Sequence, residues 1–243
     1  MDSLSRYAVV SCHVERPLDD RVWAAFERLL SSRPGGFDVT PFLRPPAEGE
    51  DEKLWLERAR HAAALAPLGH HTHWGGIEQA RPKGVDPSAL VREQADWLRA
   101  NELMPRYFCG GGWYVDEALA ETLAQHGYVD CTATTFQQSY LAADAPRLQL
   151  DGPRRLLLGS GATLLELPAT HSLGMLGRGL ARLRGPVHVH FHDWELAEPR
   201  RALAIPVLLR MLRVLRKPLD IDELAERAAD APEAAFAGAT IAS

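Results

Sequence analysis

The chain has 243 residues, of which 46% are hydrophobic and 24% are charged, and its formal net charge is −5. This composition is ordinary for a globular protein with a sizeable core, and the slight acidity gives no reason to expect nucleic acid as a partner. The length is compatible with one α/β barrel, and we predict a single domain over residues 1–243.

Strand-like and helix-like segments alternate along the chain. Short apolar segments predict strands at Tyr7–Cys12, Phe37–Leu43, Leu68–Trp74, Arg106–Cys109, Tyr128–Thr132, Leu156–Leu158, Leu164–Leu167 and, as the last strand, Val187–His192. Helical spacing predicts helices at Asp20–Leu30, Asp51–Leu65, Pro87–Asn101, Asp116–His126, Ser172–Arg184 and Ala202–Arg216. The alternation favours a mostly parallel α/β fold, an incomplete (β/α) barrel of about seven strands.

Local signals mark some ends of these elements. Asp86 and Pro87 are expected to start the third helix, as N-cap and first helical residue, and Gly127 is expected to end the fourth. The Ala-rich tail from about residue 232 is expected to be partly disordered.

The cysteines and the N-terminal residues give a prediction of the redox state and the cellular compartment of the protein. Cys12, Cys109 and Cys131 contain no C-x-x-C pair, and their odd number disfavours a disulfide framework. The first residues do not read as a signal peptide, and no apolar run is long enough to span a membrane. We therefore predict a reduced, cytoplasmic protein.

Positive charge is concentrated in one stretch near the C-terminal end. Positions 200–217 contain six cationic residues and no acid: Arg200, Arg201, Arg210, Arg213, Arg216 and Lys217. The stretch is either a basic surface for an anionic partner or the solvated face of a helix, and the second interpretation is the more common one for charge runs.

The most informative segment is Val187–His192, in which apolar residues alternate with histidines. Side chains of a strand alternate between two faces, so Val187, Val189 and Phe191 share one face. The other face carries His188, His190 and His192. Sites in α/β proteins cluster at the carboxyl ends of strands, so His192 is the strongest functional candidate of the three, although satisfied core histidines would give the same pattern.

Three further segments place reactive side chains at predicted strand ends. In the first, His13 and Glu15 are two residues apart and point the same way if the chain is extended. The second contains His70, His71 and His73 beside Gly75-Gly76, a composition typical of a metal site or of an exposed turn. The third is the segment 108–114, in which three glycines follow a strand and permit close approach of a ligand or a plain turn.

These four segments, in this order, resemble the polysaccharide deacetylase family (carbohydrate esterase family four, the nodulation-factor deacetylase homology domain). The resemblance implies an irregular (β/α) barrel that removes acetyl groups from N-acetylated sugars with a bound divalent metal. It covers roughly Tyr7 to Leu196, in short motifs only. Glu15 matches the metal-binding acid of the first motif, and His71-Thr72 matches the start of the second, H-[ST]-x-x-H. The motif F-R-x-G-G-W, followed by D-E-A-L, is matched at Phe108, Gly111, Gly112, Trp113 and Asp116–Leu119. His192-Asp193-Trp194-Glu195-Leu196 matches the closing motif, which supplies a histidine general acid.

The departures from the family pattern concern both catalysis and metal binding. His13 stands where the family has an Asp base, and Cys109 replaces the Arg that braces that Asp. Joint loss is physically consistent, because an Arg left without its carboxylate would be an unpaired charge in the pocket. Gly75 replaces the second metal-binding histidine. Glu15 and His71 then supply two ligands, and His73, His70 or His13 supplies a third; a His13 that binds the metal cannot also act as the base.

Two functions follow from this resemblance. In the first, a zinc-like divalent metal on Glu15, His71 and His73 assists a hydrolase that deacylates a sugar or a glycosylated small molecule, with His13 as base and His192 as acid. Backbone N–H groups of residues 110–112 would face the oxyanion. The substrate would contact these residues: Gly111, Gly112, Trp113, Tyr114, Trp74 and Trp194. The alternative is an inactive relative that keeps the barrel to bind a ligand or a partner protein.

Overall fold

The computed structural model describes residues 4–138, 140–142, 145–179, 183 and 185–239. Within these ranges the strands are β1 (Tyr7–Val14), β2 (Val39–Leu43), β3 (Gly69–Thr72), β4 (Tyr107–Gly110), β5 (Val129–Asp130), β6 (Arg154–Leu157), β7 (Thr163–Glu166), β8 (His171–Ser172), β9 (Val187–His192), β10 (Lys217–Pro218) and β11 (Glu233–Ala235). The helices are α1 (Asp20–Ser32), α2 (Glu52–Ala63), α3 (Pro87–Ala100), α4 (Glu117–Gln125), α5 (Leu173–Gly179), α6 (Pro199–Leu215), α7 (Ile221–Arg227) and α8 (Phe236–Ala239).

The chain divides into two compact units. The first comprises Met1–Leu68 and Thr170–Leu224, and the second comprises Gly69–Ala169 and Ala225–Ser243. In the described part of the first unit the strands pair in parallel: β1 pairs with β2, β9 and β10, and β8 pairs with β9. All eight residues of β1 are buried, as expected for the central strand of a parallel sheet.

The second unit is built around a parallel run of β3, β4, β5 and β7. Strand β6 pairs antiparallel with β7 and parallel with β11. Its core includes the fully buried side chains of Trp74, Phe108, Leu119 and Leu123. The mostly parallel α/β class predicted from the sequence is therefore confirmed, with seven strands of four or more residues among the described ranges. The single barrel domain stays a prediction.

The helix starts follow local chemistry. The side chains of Asp19, Asp51, Asp86 and Asp116 each accept a hydrogen bond from a backbone N–H in the first turn of α1 to α4. Asp86 and Pro87 thus start α3 as predicted. Gly127, with φ of 73°, follows the last turn of α4 as predicted.

The structure differs from the sequence prediction towards the C-terminal end. Val187–His192 is not the last strand, because β10 and β11 follow it. The segment 233–239, expected to be partly disordered, forms β11 and α8, and Phe236 is buried. Of the predicted helix Ser172–Arg184, the part Leu173–Gly179 is helical, and residues 180–182 and 184 lie outside the described residues. In the described part of the chain, every helix is too short or too polar to cross a bilayer.

A tight contact fixes α6 in the first unit. Gly35 has φ of 71°, and a Cβ added to it would lie 2.7 Å from the backbone oxygen of Leu209, in the middle of α6. The neighbouring Gly36 has a similar φ of 76°, but its added Cβ would meet only the Pro218 side chain at 3.9 Å, an ordinary contact.

We expect Gly35→Ala to destabilise the protein much more than Gly36→Ala. Both variants carry the cost of left-handed backbone, about 1–2 kcal/mol. Gly35→Ala adds a backbone clash of about 1–3 kcal/mol, because α6 must move. Urea unfolding of the two variants measures the difference, and equal losses would show that α6 does not press on Gly35.

Candidate active site

The three histidines of β9 have different surroundings. The apolar face of β9 is fully buried, with Val187, Val189 and Phe191 at most 1% exposed. On the other face, His188 Nε2 lies 2.9 Å from Ser11 Oγ, so His188 has a structural partner. Burial, followed by the charges of His192 and His188, holds the pKa of His190 well below its ordinary value, so His190 is neutral. His192, at the carboxyl end, reaches solvent with 28% of its side chain.

His13 lies directly beside this strand, because β1 and β9 pair in parallel with His13 opposite His192. The His13 ring stacks on His190 at a centroid distance of 5.6 Å and meets His192 edge-on at 5.1 Å. His13 itself is 5% exposed. The carboxyl ends of two adjacent strands thus carry a cluster of three imidazoles, of which only His192 is substantially open to solvent.

Carboxylates hold His192 on two sides. Its Nδ1 lies 3.4 Å from Glu195 Oε1, its Nε2 lies 3.6 Å from Glu15 Oε1, and its backbone N–H donates to Glu195 at 3.0 Å. Burial alone would lower the pKa of His192. The hydrogen bond to Glu195 and the charges of Glu15 and Glu195 outweigh burial, so the pKa lies above its ordinary value. The imidazole is therefore oriented with Nε2 towards Glu15.

Glu195 is itself anchored. Arg201 Nη1 donates to its Oε2 at 2.6 Å, and the guanidinium also pairs with Glu198 at 3.0 Å. Although burial would raise the pKa of Glu195, the hydrogen bonds from His192 and Arg201 hold it below its ordinary value. Trp194 stacks on His192 at 5.5 Å and carries Arg201 over its ring at 5.2 Å. Sequence reasoning placed Arg201 in a run of positive charge, either a basic surface or, more commonly, a solvated helix face, and missed this role; the spacing of six residues from Glu195 was too weak a signal.

Asp193 is another residue that sequence reasoning did not assign. It is fully buried, and its two carboxylate oxygens accept the backbone N–H groups of Arg16 and Trp194, both at 2.8 Å. Burial raises its pKa to about 6, against these hydrogen bonds. Asp193 therefore joins the chain leaving β1 to the chain leaving β9, and it positions Glu15 and His192 on either side.

In the second unit, His71 and His73 share one feature that suits metal binding. His71 Nδ1 lies 2.8 Å from the carbonyl oxygen of Cys109, and His73 Nδ1 lies 2.7 Å from that of Ile77. A carbonyl only accepts hydrogen bonds, so each Nδ1 carries the proton and each Nε2 of the neutral ring carries a lone pair. Metal-binding histidines are typically oriented in this way, and the two rings lie 5.0 Å apart.

His70 has a different environment, which removes it from the candidate ligands. Its Nε2 lies 2.9 Å from Gln94 Oε1 and its Nδ1 lies 3.0 Å from the Tyr128 hydroxyl. Burial lowers its pKa to about 4, so the ring is neutral and both nitrogens are used. Of the three candidates for the third ligand, the structure therefore disfavours His70.

The glycine-rich turn after β4 is closely packed. An added Cβ would lie 2.5 Å from the Thr72 carbonyl oxygen at Gly111 and 2.4 Å from the Arg81 side chain at Gly112, whose φ is 58°. Gly110 donates its N–H to Thr132 Oγ1 at 2.8 Å, so this group does not face an oxyanion, contrary to the sequence prediction. The glycines are needed for packing, whatever their further role.

The aromatic residues predicted to contact a substrate have different exposures. Trp74 is fully buried and donates Nε1–H to the Gly111 carbonyl, so it packs in the core, and its contact with a sugar stays a prediction. Trp113 is 8% exposed and meets Phe136 edge-on. Tyr114 is partly exposed, with its hydroxyl on Asp116 and with Arg81 over its ring. Tyr114 and Trp194 are the more accessible candidates.

A buried carboxyl pair, absent from the sequence prediction, supports this turn. Asp130 and Glu166 are fully buried, lie opposite each other on β5 and β7, and share a hydrogen bond between their side chains. Asp130 Oδ1 accepts from Thr132 N and Oγ1 at 3.0 and 2.6 Å. Burial and the charge of Asp130 raise the pKa of Glu166 well above its ordinary value. Glu166 therefore carries the shared proton, and Thr132 links the pair to Gly110.

The fold of this chain is similar to that of several solved structures. No family model and no curated protein sequence matches the chain. The Xyl-CE4 domain of a multidomain xylanase from the hindgut metagenome of Trinervitermes trinervoides is similar over 95% of both chains, with a TM-score of 0.56 and 10% identity. The 4-alpha-glucanotransferase of Thermococcus litoralis is similar over 97% of this chain, with a TM-score of 0.57 and 13% identity. This chain spans only 42% of the glucanotransferase.

A family 4 carbohydrate esterase from Streptomyces lividans is also similar, over 85% of this chain and 87% of its own, with a TM-score of 0.49 and 11% identity. At these identities the comparisons establish the fold alone. The protein thus has the fold of carbohydrate esterase family 4 domains, and the predicted resemblance to polysaccharide deacetylases is confirmed at that level.

The carboxyl pair generates a pH-dependent prediction. At a pH above the ordinary pKa of a glutamate, Glu166 holds a proton in the folded state and releases it on unfolding. The free energy of unfolding of the wild type therefore falls as pH rises from about 4.5. Glu166→Gln keeps a donor towards Asp130 and an acceptor for the N–H of Ala133 without binding a proton. We expect the variant to gain up to about 1.4 kcal/mol per pH unit relative to wild type between about pH 5 and 7.

The double variant Asp130→Asn with Glu166→Gln is the control. In the double variant two side-chain amides face each other and no proton is shared between them. One amide is therefore left without a complementary hydrogen-bond partner, so the double variant should be less stable than either single variant. Chemical unfolding at several pH values measures the stability of the wild type, of both single variants and of the double variant. A constant difference between Glu166→Gln and wild type across this range would mean that Glu166 is ionised in the folded protein.

Proposed function

We propose that the protein is a metal-dependent hydrolase that removes an acyl group, in the simplest case acetyl, from an N-acylated sugar or a glycosylated small molecule. The observation that carries this proposal is the pair of imidazoles of His71 and His73, each of which donates Nδ1–H to a carbonyl and so has the tautomer with a lone pair on Nε2, as in metal-binding histidines.

We further propose that Glu15 joins His71 and His73 as the third ligand. Two imidazoles and one carboxylate are a donor set that catalytic zinc sites use, and they leave a position open for substrate or water. A divalent ion there would supply Lewis-acid polarisation of the amide carbonyl. With Glu15, His71 and His73 as the three ligands, His13 stays available as a base.

The proposed chemistry of the protein's own groups follows from the two imidazoles at the ends of β1 and β9. His13 accepts the proton of the attacking water. His192, held by Glu195 at Nδ1, presents Nε2 and donates a proton to the leaving amine. Glu195, Arg201 and Trp194 keep the His192 ring in this orientation.

The class of substrate is supported by the comparisons. The similar structures are the Xyl-CE4 domain of a xylanase and a glucanotransferase, and xylanase and glucanotransferase are names of enzymes that act on carbohydrates. One fold supports many reactions, so a carbohydrate substrate is part of the proposal rather than a property of the fold. Tyr114 and Trp194, the more exposed of the candidate aromatics, are the residues that we propose contact the sugar.

Metal binding can be tested directly. We expect Glu15→Ala and His73→Asn each to weaken zinc affinity by at least about tenfold, because each removes one of three ligands. His61→Asn changes a histidine that pairs with Glu27 on the surface of α2, so it serves as the matched control. Calorimetric titration of metal-stripped protein measures the affinities. Unchanged affinity in Glu15→Ala would show that the ligand set is wrong.

Catalysis depends on His192 in this proposal. His192→Ala should lower kcat by about 10²–10⁴-fold, the range of a general acid, and leave thermal stability nearly unchanged. Release of acetate from N-acetylglucosamine and its oligomers measures kcat, with His61→Ala as control. A wild type that binds neither zinc nor these sugars, together with a His192→Ala variant that unfolds, would favour the inactive relative instead.

A further inference from the structure

Helix α6 has two apolar faces, of which only one packs in the first unit. Ile205, Leu209 and Leu212 are fully buried. Four apolar residues on the opposite side are exposed, and these are Leu203 at 75%, Val207 at 51%, Met211 at 50% and Val214 at 84%. Their spacing of four, four and three residues places them on one face. A solvent-facing helix side normally carries polar residues, so this row, which we call the α6 stripe, indicates a contact.

The charges around the α6 stripe all have one sign. Between Pro199 and Leu219 there is no acidic residue, although the whole chain has a net charge of −5. Arg201 is used by Glu195 and Glu198. Among the residues that the structure describes, Arg200, Arg210 and Arg213 have no ion-pair partner, and all three are exposed. Helical spacing places Arg200 and Arg210 beside the stripe itself, and Arg213 on its flank.

A cavity of about 360 Å³ opens at the C-terminal end of the α6 stripe. Four cationic residues line it: Arg6, Arg213, Arg216 and Lys217. Val214 lines it as well, so the cavity and the stripe are continuous. Apolar side chains next to a cluster of cations form a surface that is complementary to an acyl chain joined to a phosphate.

We propose that the α6 stripe and the adjoining cavity dock the protein onto an anionic membrane surface. Leu203, Val207 and Val214 enter the level of the headgroups, and the cavity receives a lipid phosphate. The stripe lies on the outside of a helix rather than in a groove, and this shape fits the plane of a membrane. Arginines beside the stripe can extend their long side chains to the headgroups while the apolar residues go deeper. The proposal is independent of the proposed hydrolase activity.

The test uses the full chain and vesicles. At low salt we expect the protein to cosediment with vesicles of equal parts phosphatidylcholine and phosphatidylglycerol, and not with phosphatidylcholine alone. Added salt should weaken the binding, because the attraction to the surface is screened.

Two double variants separate the apolar and the cationic contributions. Arg210→Gln with Arg213→Gln should weaken binding about 25-fold, at about fivefold per cation. Leu203→Gln with Val214→Gln should weaken it by about tenfold or more. All four residues are exposed, so folding should be unaffected. The matched controls are Lys53→Gln with Lys83→Gln, which removes the same charge elsewhere, and Met104→Gln, which replaces an apolar residue that is 71% exposed in the second unit.

Three results would overturn the proposal. The first is no binding to the anionic vesicles at low salt, and the second is equal weakening by the controls. The third is a pair of observations: the wild type does not bind the vesicles, and it forms a dimer in sedimentation velocity that the Leu203→Gln, Val214→Gln variant does not form. The α6 stripe would then be a contact between two copies of the chain.

Discussion

The parallel pairing of β1 with β9 is the interaction on which the candidate site depends. It brings together residues that are 179 positions apart in sequence, and six register pairs run from Ala8–Val187 to His13–His192. Because strand side chains have a period of two, a slip by one residue would turn His13 and His192 to opposite faces. Asp193 secures the register at the open end by accepting the backbone N–H of Arg16, and the Ser11–His188 contact secures it inside the sheet.

Buried polar groups do much of the positioning in both units. The carbonyls of Cys109 and Ile77 select the tautomers of His71 and His73, and Glu195 orients the ring of His192. Such groups are costly to bury unless each is satisfied, and once satisfied they hold a single arrangement. The Asp130–Glu166 pair applies the same principle to the turn at Gly110, through Thr132. The rigidity of the candidate site is therefore a property of hydrogen bonds as well as of apolar packing.

The departures from the deacetylase pattern are easier to understand with these contacts in view. Cys109 stands where the family has an Arg, is almost fully buried, and contributes its backbone carbonyl to His71. His13 packs against the neutral His190 and against His192, so an imidazole within an imidazole cluster occupies the position where the family has an Asp. The fold, which is shared with a glucanotransferase, does not decide between a deacylase and an inactive relative, so the function rests on these particular side chains.

Local interactions made it possible to predict helix ends, strands and the fold class from the sequence alone. The N-caps Asp86 and Asp116, the terminator Gly127 and the alternation in Val187–His192 act within a few residues, and the elements that they define formed as predicted. The parallel α/β class followed from the order of these elements. Only the tertiary structure decided the partners and the burial of particular side chains. His70 contacts Tyr128 and Gln94, Trp74 is buried, and Glu166 shares a proton with Asp130. These outcomes depend on sheet register and on burial, which arise from residues far apart in the chain and leave no local pattern.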